Sequence, residues 1–397
     1  MNGFHIFLDS GYGYTFSRDA MRIITILSAI LLCLAAAVPG AVAAAPVAVT
    51  DSFSRAQVGG SLEILEDPDG RLAFGEVSSG SVEKRFTGGH GEAPNFGYTR
   101  SVYWARFALS DTRASRQELF LEFNYTHLDV IDIYWRDANG AVVAKKIGKR
   151  FPYATREVKY RNPVAVIPPD ADTPQTVYMR IDTGSSMQLA ATLWTPRAFA
   201  EAVRHEQYVF GLFYGTMIVM AIYNLFLFFF VRDRNYLYYV LYIFAYVLVQ
   251  ISFNGLAFEY LWPAQVWWNG RCIPFFIGFS SLCIIQFARS FLGAKTTVPS
   301  MHRALQVLLV YAALVMAVSL AGPYQLAMKL GLVLMIVETV VISITAVICF
   351  ARKYRPARYF IIAWAAFLGG IAAISLKTLG VLPDTFITNY AIQIGSS

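Results

Sequence analysis

Cysteine is scarce, with four in 397 residues, and Cys33, Cys272, Cys283 and Cys349 leave residues 46–206 with none. That excludes a disulfide scaffold. Charge is also scarce. Asp, Glu, Lys and Arg make up 15% of the chain, against roughly 25% in an ordinary soluble domain. A soluble globule is excluded for much of the length, and so is disorder, which needs low hydrophobicity. Histidine occurs five times. His90, His127 and His205 fall in residues 46–206 without ligand-like spacing, so no metal site is expected. There is no G-x-S-x-G elbow, no H-E-x-x-H and no phosphate loop. No catalytic residue and no cofactor is therefore expected.

What the chain has instead is apolar mass: 56% hydrophobic and 15% aromatic residues. The formal net charge is +7. Its location matters more than its size. Residues 46–206 carry 19 basic and 20 acidic side chains, whereas residues 207–397 carry 12 basic and 4 acidic. The excess sits between apolar runs, as the cytoplasmic loops of a membrane protein do. A nucleic-acid partner is not expected, because that needs a basic face on a soluble domain.

Residues 23–38 (IITILSAILLCLAAAV) form an apolar core after Arg22, followed by Ala41-Val42-Ala43-Ala44-Ala45. This reads as a secretory signal peptide over 1–45 with an A-x-A cleavage site. Residues 1–20 are polar for a signal n-region, and Met21-Arg22 makes a better start. An uncleaved anchor helix is the alternative, against which the run is shorter than the ~20 residues a span needs.

Residues 46–200 are polar and cut by turns. Runs that read as strands are Ser61–Glu66, Val102–Leu109, Glu118–Asn124, Val130–Arg136, Ala141–Ile147, Arg156–Val166, Thr176–Asp182 and Gln188–Trp194. Asp137-Ala138-Asn139-Gly140 is a tight-turn signal, because Asn-Gly tolerates positive φ. The expected fold is an exported, all-β, jelly-roll-like sandwich. Asp129 and Asp132 read as solvated acids. Trp104 and Arg106 share one strand face by the period of two. They form a candidate ligand-binding pair, an aromatic platform with a guanidinium for a polar ligand such as a sugar. The alternative is a core strand whose Arg pairs with a buried acid.

Residues 207–397 hold repeated apolar runs, read as membrane spans at about 207–231, 237–258, 266–290, 304–322, 326–350 and 358–380. A seventh run, 386–397, covers only ~18 Å as a helix, so the chain is expected to end inside its last span. With the sandwich outside, Arg232, Arg234, Arg289, Lys295, Arg303, Arg352, Lys353, Arg355 and Arg358 all face the cytoplasm. Arg271, Lys329 and Lys377 lie near outward ends, where long side chains snorkel. Tyr260, Trp262, Trp267 and Trp268 cluster at an outward interface, as aromatic belts do. The expected topology is multi-pass, with the N-terminal domain exported.

Within the spans, Gly211 and Gly215 form a GxxxG helix-packing motif, against the background of common small residues in membrane helices. Tyr223 and Asn224 lie in span one, and Tyr239, Tyr242 and Tyr246 make a stripe on span two. Polar groups there need partners inside the bundle. Glu338 is the acid deepest in the membrane and a functional hypothesis by default. Glu338, Asn224, Tyr223 and Tyr239 are the intramembrane switch candidates.

Phe210-Gly211-Leu212-Phe213-Tyr214-Gly215, Tyr223-Asn224-Leu225-Phe226 and Arg232-Asp233-Arg234-Asn235-Tyr236-Leu237-Tyr238-Tyr239 resemble the bacterial seven-transmembrane receptors with diverse intracellular signalling modules. Val102-Tyr103-Trp104-Ala105-Arg106-Phe107 and Val130-Ile131-Asp132-Ile133-Tyr134 resemble that family's type-2 extracellular sensory domain. The resemblance implies an exterior jelly-roll-like module for carbohydrate or related small ligands. It also implies a seven-helix membrane bundle, a possible homodimer, and a cytoplasmic output such as a diguanylate cyclase, histidine kinase, adenylate cyclase or phosphatase. The family would continue beyond Ser397 into a linker and output, so no enzyme is expected within these residues.

The leading expectation is thus a receptor that reads a periplasmic small molecule and relays it through the bilayer. The competing class is a transporter or channel subunit with a periplasmic binding domain. That class predicts inverted repeats, broken helices and several intramembrane charges.

Overall fold

The computed structural model describes residues 45–89, 91–114, 117–137, 139–168 and 175–378. The expected signal segment and the seventh apolar run lie outside the described residues, apart from Ala45. An all-β region is followed by a helical one.

Among the described residues, ten strands form two sheets. They are β1 (Val47–Val49), β2 (Arg55–Gln57), β3 (Glu63–Asp67), β4 (Val102–Asp111), β5 (Leu119–Phe123), β6 (Val130–Arg136), β7 (Val142–Ile147), β8 (Val164–Ile167), β9 (Gln175–Asp182) and β10 (Ala191–Trp194). The first sheet runs β1-β4-β9-β6-β7, with β3 also paired to β4. The second runs β2-β10-β5-β8. Alternation places Tyr103, Ala105, Phe107, Ile131, Ile133, Val177, Met179 and Ile181 in one core with Leu121, Phe123 and Leu193 of the second sheet. This period-two burial is what joins the two sheets into a sandwich. The tight turn is present: Asp137 Oδ1 accepts from the Asn139 and Ala141 amides at 2.9 and 2.8 Å. Gly140 there has φ +78°.

The strand expected over Arg156–Val166 is not one strand. Only Val164–Ile167 pairs, with β5. Upstream, Arg156 Nη1 donates to the Tyr160 and Arg161 carbonyls, and Lys159 Nζ donates to the Ala154 and Arg156 carbonyls. Those side chains hold the backbone in a folded loop. Two short strands, β1 and β2, carry no readable alternation at three residues each.

Two one-turn helices, α1 (Phe74–Val77) and α2 (Gly80–Glu83), lie between β3 and β4. The long helices then follow: α3 (Pro196–Val231), α4 (Arg234–Phe253), α7 (Cys272–Phe291), α9 (Pro299–Ala321), α10 (Tyr324–Ala351) and α11 (Ala357–Thr378). Short helices α5 (Leu256–Tyr260), α6 (Val266–Asn269) and α8 (Ala294–Thr297) punctuate them. Among the described residues, α3, α4, α7, α9 and α10 are long and apolar enough to cross a membrane. The sixth expected span, 358–380, coincides with α11. Span two ends at Phe253 rather than near 258, because Gly255 takes φ +76° and stops the helix.

The helix α7 is central: it packs on α4, α9 and α10. The helix α3 packs on α4 and leaves most of its surface exposed, as a lipid-facing helix does. Its N-terminus is fixed by Thr195, whose hydroxyl accepts from the Ala198 amide, with Pro196 at the first position.

Candidate functional site

The two outer faces of the sandwich carry the polar and aromatic residues not spent on the core. On the first sheet, Trp104 and Arg106 do share a face. That face is covered. Trp104 is fully buried among Leu65, Leu72, Phe74, Val77, Val82, Phe86, Tyr134 and Tyr178. Phe74 stacks on Tyr134 at 4.8 Å and meets Tyr178 edge-on at 5.5 Å. Arg106 Nε donates to Glu63 at 2.7 Å, Nη1 donates to Glu83 at 3.1 Å, and the guanidinium lies 4.4 Å from the Phe86 ring centroid. The Trp104 indole N–H has no hydrogen-bond partner among the described residues. Asp132, read as solvated, is instead buried on this face beside Arg180 and Lys146, at 3.5 and 3.3 Å. Asp129 is buried too.

The outer face of the second sheet is fastened to the first membrane helix. Phe199 of α3 packs against Tyr160, Val164 and Trp194, meeting the rings of Phe120 and Tyr160 edge-on at 5.4 and 5.1 Å. Beneath it, buried Glu122 accepts from Asn162 Nδ2 at 2.6 Å and from the Trp194 indole at 2.8 Å. Burial pushes the Glu122 carboxyl up, against the pull of its donors and Arg161.

A second set of residues sits where the sandwich meets the outward helix ends. Arg161 makes a two-pronged ion pair with Glu206 of α3, one prong through Nε at 2.8 Å. Its Nη1 donates to the Asn254 carbonyl at 3.2 Å. Tyr160 Oη donates to the same Glu206 at 2.6 Å. The Thr126 hydroxyl donates to the Phe253 carbonyl at 3.2 Å, and His127 Nε2 lies 3.0 Å from that oxygen. These groups occupy carbonyls that the end of α4 leaves without helical partners. Gly255 is required there: a Cβ would fall 2.8 Å from Thr126 Cγ2 and 3.0 Å from the Arg161 carbonyl oxygen. Burial, with Lys149 adding to it, pushes the His127 imidazole down to about 3, so it is neutral at pH 7.

The third fastening reaches α10. Buried Lys149 pairs with Asp129 at 3.3 Å, donates to Ser185 Oγ at 2.7 Å and lies 4.7 Å from the Tyr324 ring centroid. Burial pulls its ammonium below the usual lysine range, and Asp129 opposes that. Gln325 Nε2 donates to the Thr99 carbonyl at 3.4 Å. The Tyr153 amide donates to the Pro263 carbonyl at 2.9 Å, and Arg156 lies over the Phe258 ring at 5.7 Å. The sandwich therefore touches α3, the end of α4 with α5, and the start of α10.

The intramembrane candidates are not gathered in one place. Asn224 is buried and donates to the Met220 carbonyl of its own helix at 2.8 Å. Tyr223 is exposed. Tyr239 packs against Phe287 of α7 at 5.4 Å and continues into Tyr242 and Tyr246. Glu338 is buried, with Ser281 of α7 as a hydrogen-bond partner and Oε2 unpartnered. Gly211 and Gly215 have open space where a Cβ would be.

Thr126, Lys149, Arg161, Glu206 and Gly255 do not stand out in the sequence, and His127 is weighed there only as a metal ligand. A usable signal was Asn254-Gly255, a helix-stop pair inside an apolar run. Glu206, the last acid before the first span, was another.

No residue cluster among the described residues has the make-up of a metal site. The family model described as 7TM diverse intracellular signalling matches residues 206–397, and the one described as 7TMR-DISM extracellular 2 matches residues 59–195. No curated protein matches the chain. The two matched segments meet at Thr195 to Glu206, the stretch where β10 gives way to α3. By both its outer sandwich and its helical region, the chain belongs to the 7TMR-DISM family of membrane receptors: a multi-pass protein with its sensory domain outside.

Proposed function

We propose that the sandwich binds a small polar ligand, carbohydrate in chemical class, and relays occupancy through the helices of the bacterial inner membrane to a cytoplasmic output. The observation that carries this reading is α3. It runs unbroken from the outer face of the second sheet into the membrane. Its 36 residues make ~54 Å of helix, well beyond the ~30 Å of hydrocarbon. A helix held at one end by Phe199 and Glu206 transmits a tilt or shift of the sandwich as a rigid lever. Ligand must favour one arrangement over another by differential affinity.

The binding face in this reading is the one around Trp104 and Arg106. Its unpartnered indole N–H suits a sugar hydroxyl, and its rings suit the apolar faces of a sugar. Ligand entry there displaces the cover of residues 72–86. Glu338, Asn224, Tyr223 and Tyr239 are the intramembrane groups that would re-pair between states, and the Gly211/Gly215 face would seat a second copy.

The test uses the full chain in nanodiscs with a panel of mono- and oligosaccharides. A binding sugar is expected to raise the melting midpoint and to change hydrogen exchange at Phe253–Gly255. Binding without any change at those amides overturns the relay. Absence of binding across the panel overturns the carbohydrate class.

A further inference from the structure

We infer that the turn joining α3 to α4 is a binding site for the phosphate of an anionic phospholipid headgroup in the inner leaflet. A cavity of about 580 Å³ lies there, lined by Phe228, Phe229, Arg232, Arg234, Leu237 and Tyr238. That is within the range of small-ligand sites. Its walls are amphiphilic in the right sense. Phe228, Phe229 and Leu237 belong to apolar helix ends, and the two guanidinium groups stand at the turn itself. Both arginines are exposed, and neither has a carboxylate within salt-bridge distance among the described residues.

Asp233, the one acid between them, is otherwise engaged. Its Oδ1 accepts from the Asn235 amide at 2.9 Å and its Oδ2 from Asn235 Nδ2 at 3.3 Å, capping α4. Arg232 also takes a left-handed backbone, φ 59°, at the helix-stop position that glycine ordinarily fills. A guanidinium therefore stands where a glycine would relieve the backbone. The charge pattern places this turn on the cytoplasmic side, where the leaflet is anionic. Two arginines around one cavity offer the forked donors that phosphate oxygens accept.

Free inorganic phosphate shares the recognising chemistry, but the apolar walls and the depth at the bilayer surface favour a lipid. The test is native mass spectrometry of the full chain released from nanodiscs of phosphatidylcholine with a minority of phosphatidylglycerol. Wild type is expected to retain phosphatidylglycerol in preference to phosphatidylcholine. R232Q/R234Q is expected to lose that retention by about 30-fold, from roughly fivefold per cation near an anionic surface. R232K/R234K, which keeps the charge but not the fork, should fall between the two. A melting midpoint equal to wild type certifies that the variants fold. Equal retention by wild type and R232Q/R234Q, or no preference between the lipids in wild type, overturns the site. Inorganic phosphate stripping phosphatidylglycerol from wild type at millimolar concentration overturns the lipid as its occupant.

Discussion

Both outer faces of the sandwich are rich in aromatic residues, and they are covered from different sources. On the first sheet the cover is local: residues 72–86 fold back over Trp104, Tyr134 and Tyr178 within the same domain. On the second sheet the cover is the first membrane helix, through Phe199, with Glu206 clamped by Arg161 and Tyr160 two turns further on. Removing the first cover need not disturb the membrane region. Removing the second takes away one of the three fastenings that hold the sandwich to the helices. In the proposed reading this asymmetry suits a receptor, with one face exchanging its local cover for ligand and the other held to the first long helix.

The largest effect is expected where the fastening is ionic and shielded. In E206A the Arg161 guanidinium and the Tyr160 hydroxyl lose their acceptor while remaining largely buried. Breaking such a pair from one side costs about 3–5 kcal/mol. The thermal midpoint should drop, and exchange at Phe253–Gly255 should rise to that of an undocked helix end. F199A should behave alike, at about 3–5 kcal/mol for an aromatic deleted from a packed site. If either leaves exchange at 253–255 unchanged, the second face is not the fastening.

A step smaller is the close approach at Gly255. G255A adds a Cβ against Thr126 and the Arg161 carbonyl and forces a non-glycine residue to φ +76°. Overpacking of this kind costs about 1–3 kcal/mol. Crosslinking between cysteines placed near Thr126 and Phe253 should be slower with G255A than in the same cysteine pair with Gly255 retained. An unchanged rate would mean that the helix end is not held against the sandwich.

Next is pH. The His127 imidazole is depressed to about 3 in the fold by burial and Lys149, against about 6.5 when unfolded. Its neutral form therefore contributes fully above pH 6.5, and the contribution is lost as pH falls from there towards 3. The slope is about 1.4 kcal/mol per pH unit from this residue. Melting midpoints between pH 7.5 and 5 should fall more steeply for wild type than for H127Q, which keeps a side-chain donor and cannot titrate. Parallel curves would refute the assignment.

Much of the architecture was legible beforehand because it rests on period and length. The alternation in Val130–Arg136 and Thr176–Asp182 located two strands to within a residue, and apolar run length located the long helices. Asn254-Gly255 is ambiguous in the sequence, because a glycine within an apolar run is common in membrane helices. Only the structure shows Thr126 against it. The fastening residues were hidden for a deeper reason. Arg161 and Glu206 are 45 residues apart, and nothing in either segment's periodicity pairs them. Trp104 and Arg106 were correctly placed on one face. Their cover was not foreseen, because residues 72–86 form single turns too short to show a period.

The smallest expected effect separates the two faces most cleanly. Phe74 is a half-buried ring on the cover, in contact with Tyr134 and Tyr178. F74A removes a ring of the same kind as F199A does, from the other face. It should cost only about 0.5–1.5 kcal/mol, the order of an aromatic pair, because the site borders solvent and can collapse. Exchange at Phe253–Gly255 should stay at the wild-type value, since none of those amides borders residues 72–86. Locally the change should be larger than the global one. Trp104, shielded from water in wild type, should become accessible to a neutral quencher such as acrylamide, in a background where the other six tryptophans are replaced by phenylalanine. If F74A lowers the midpoint as far as F199A, or loosens the end of α4, the two covers are mechanically equivalent. The division between an exchangeable face and an anchored one would then fail.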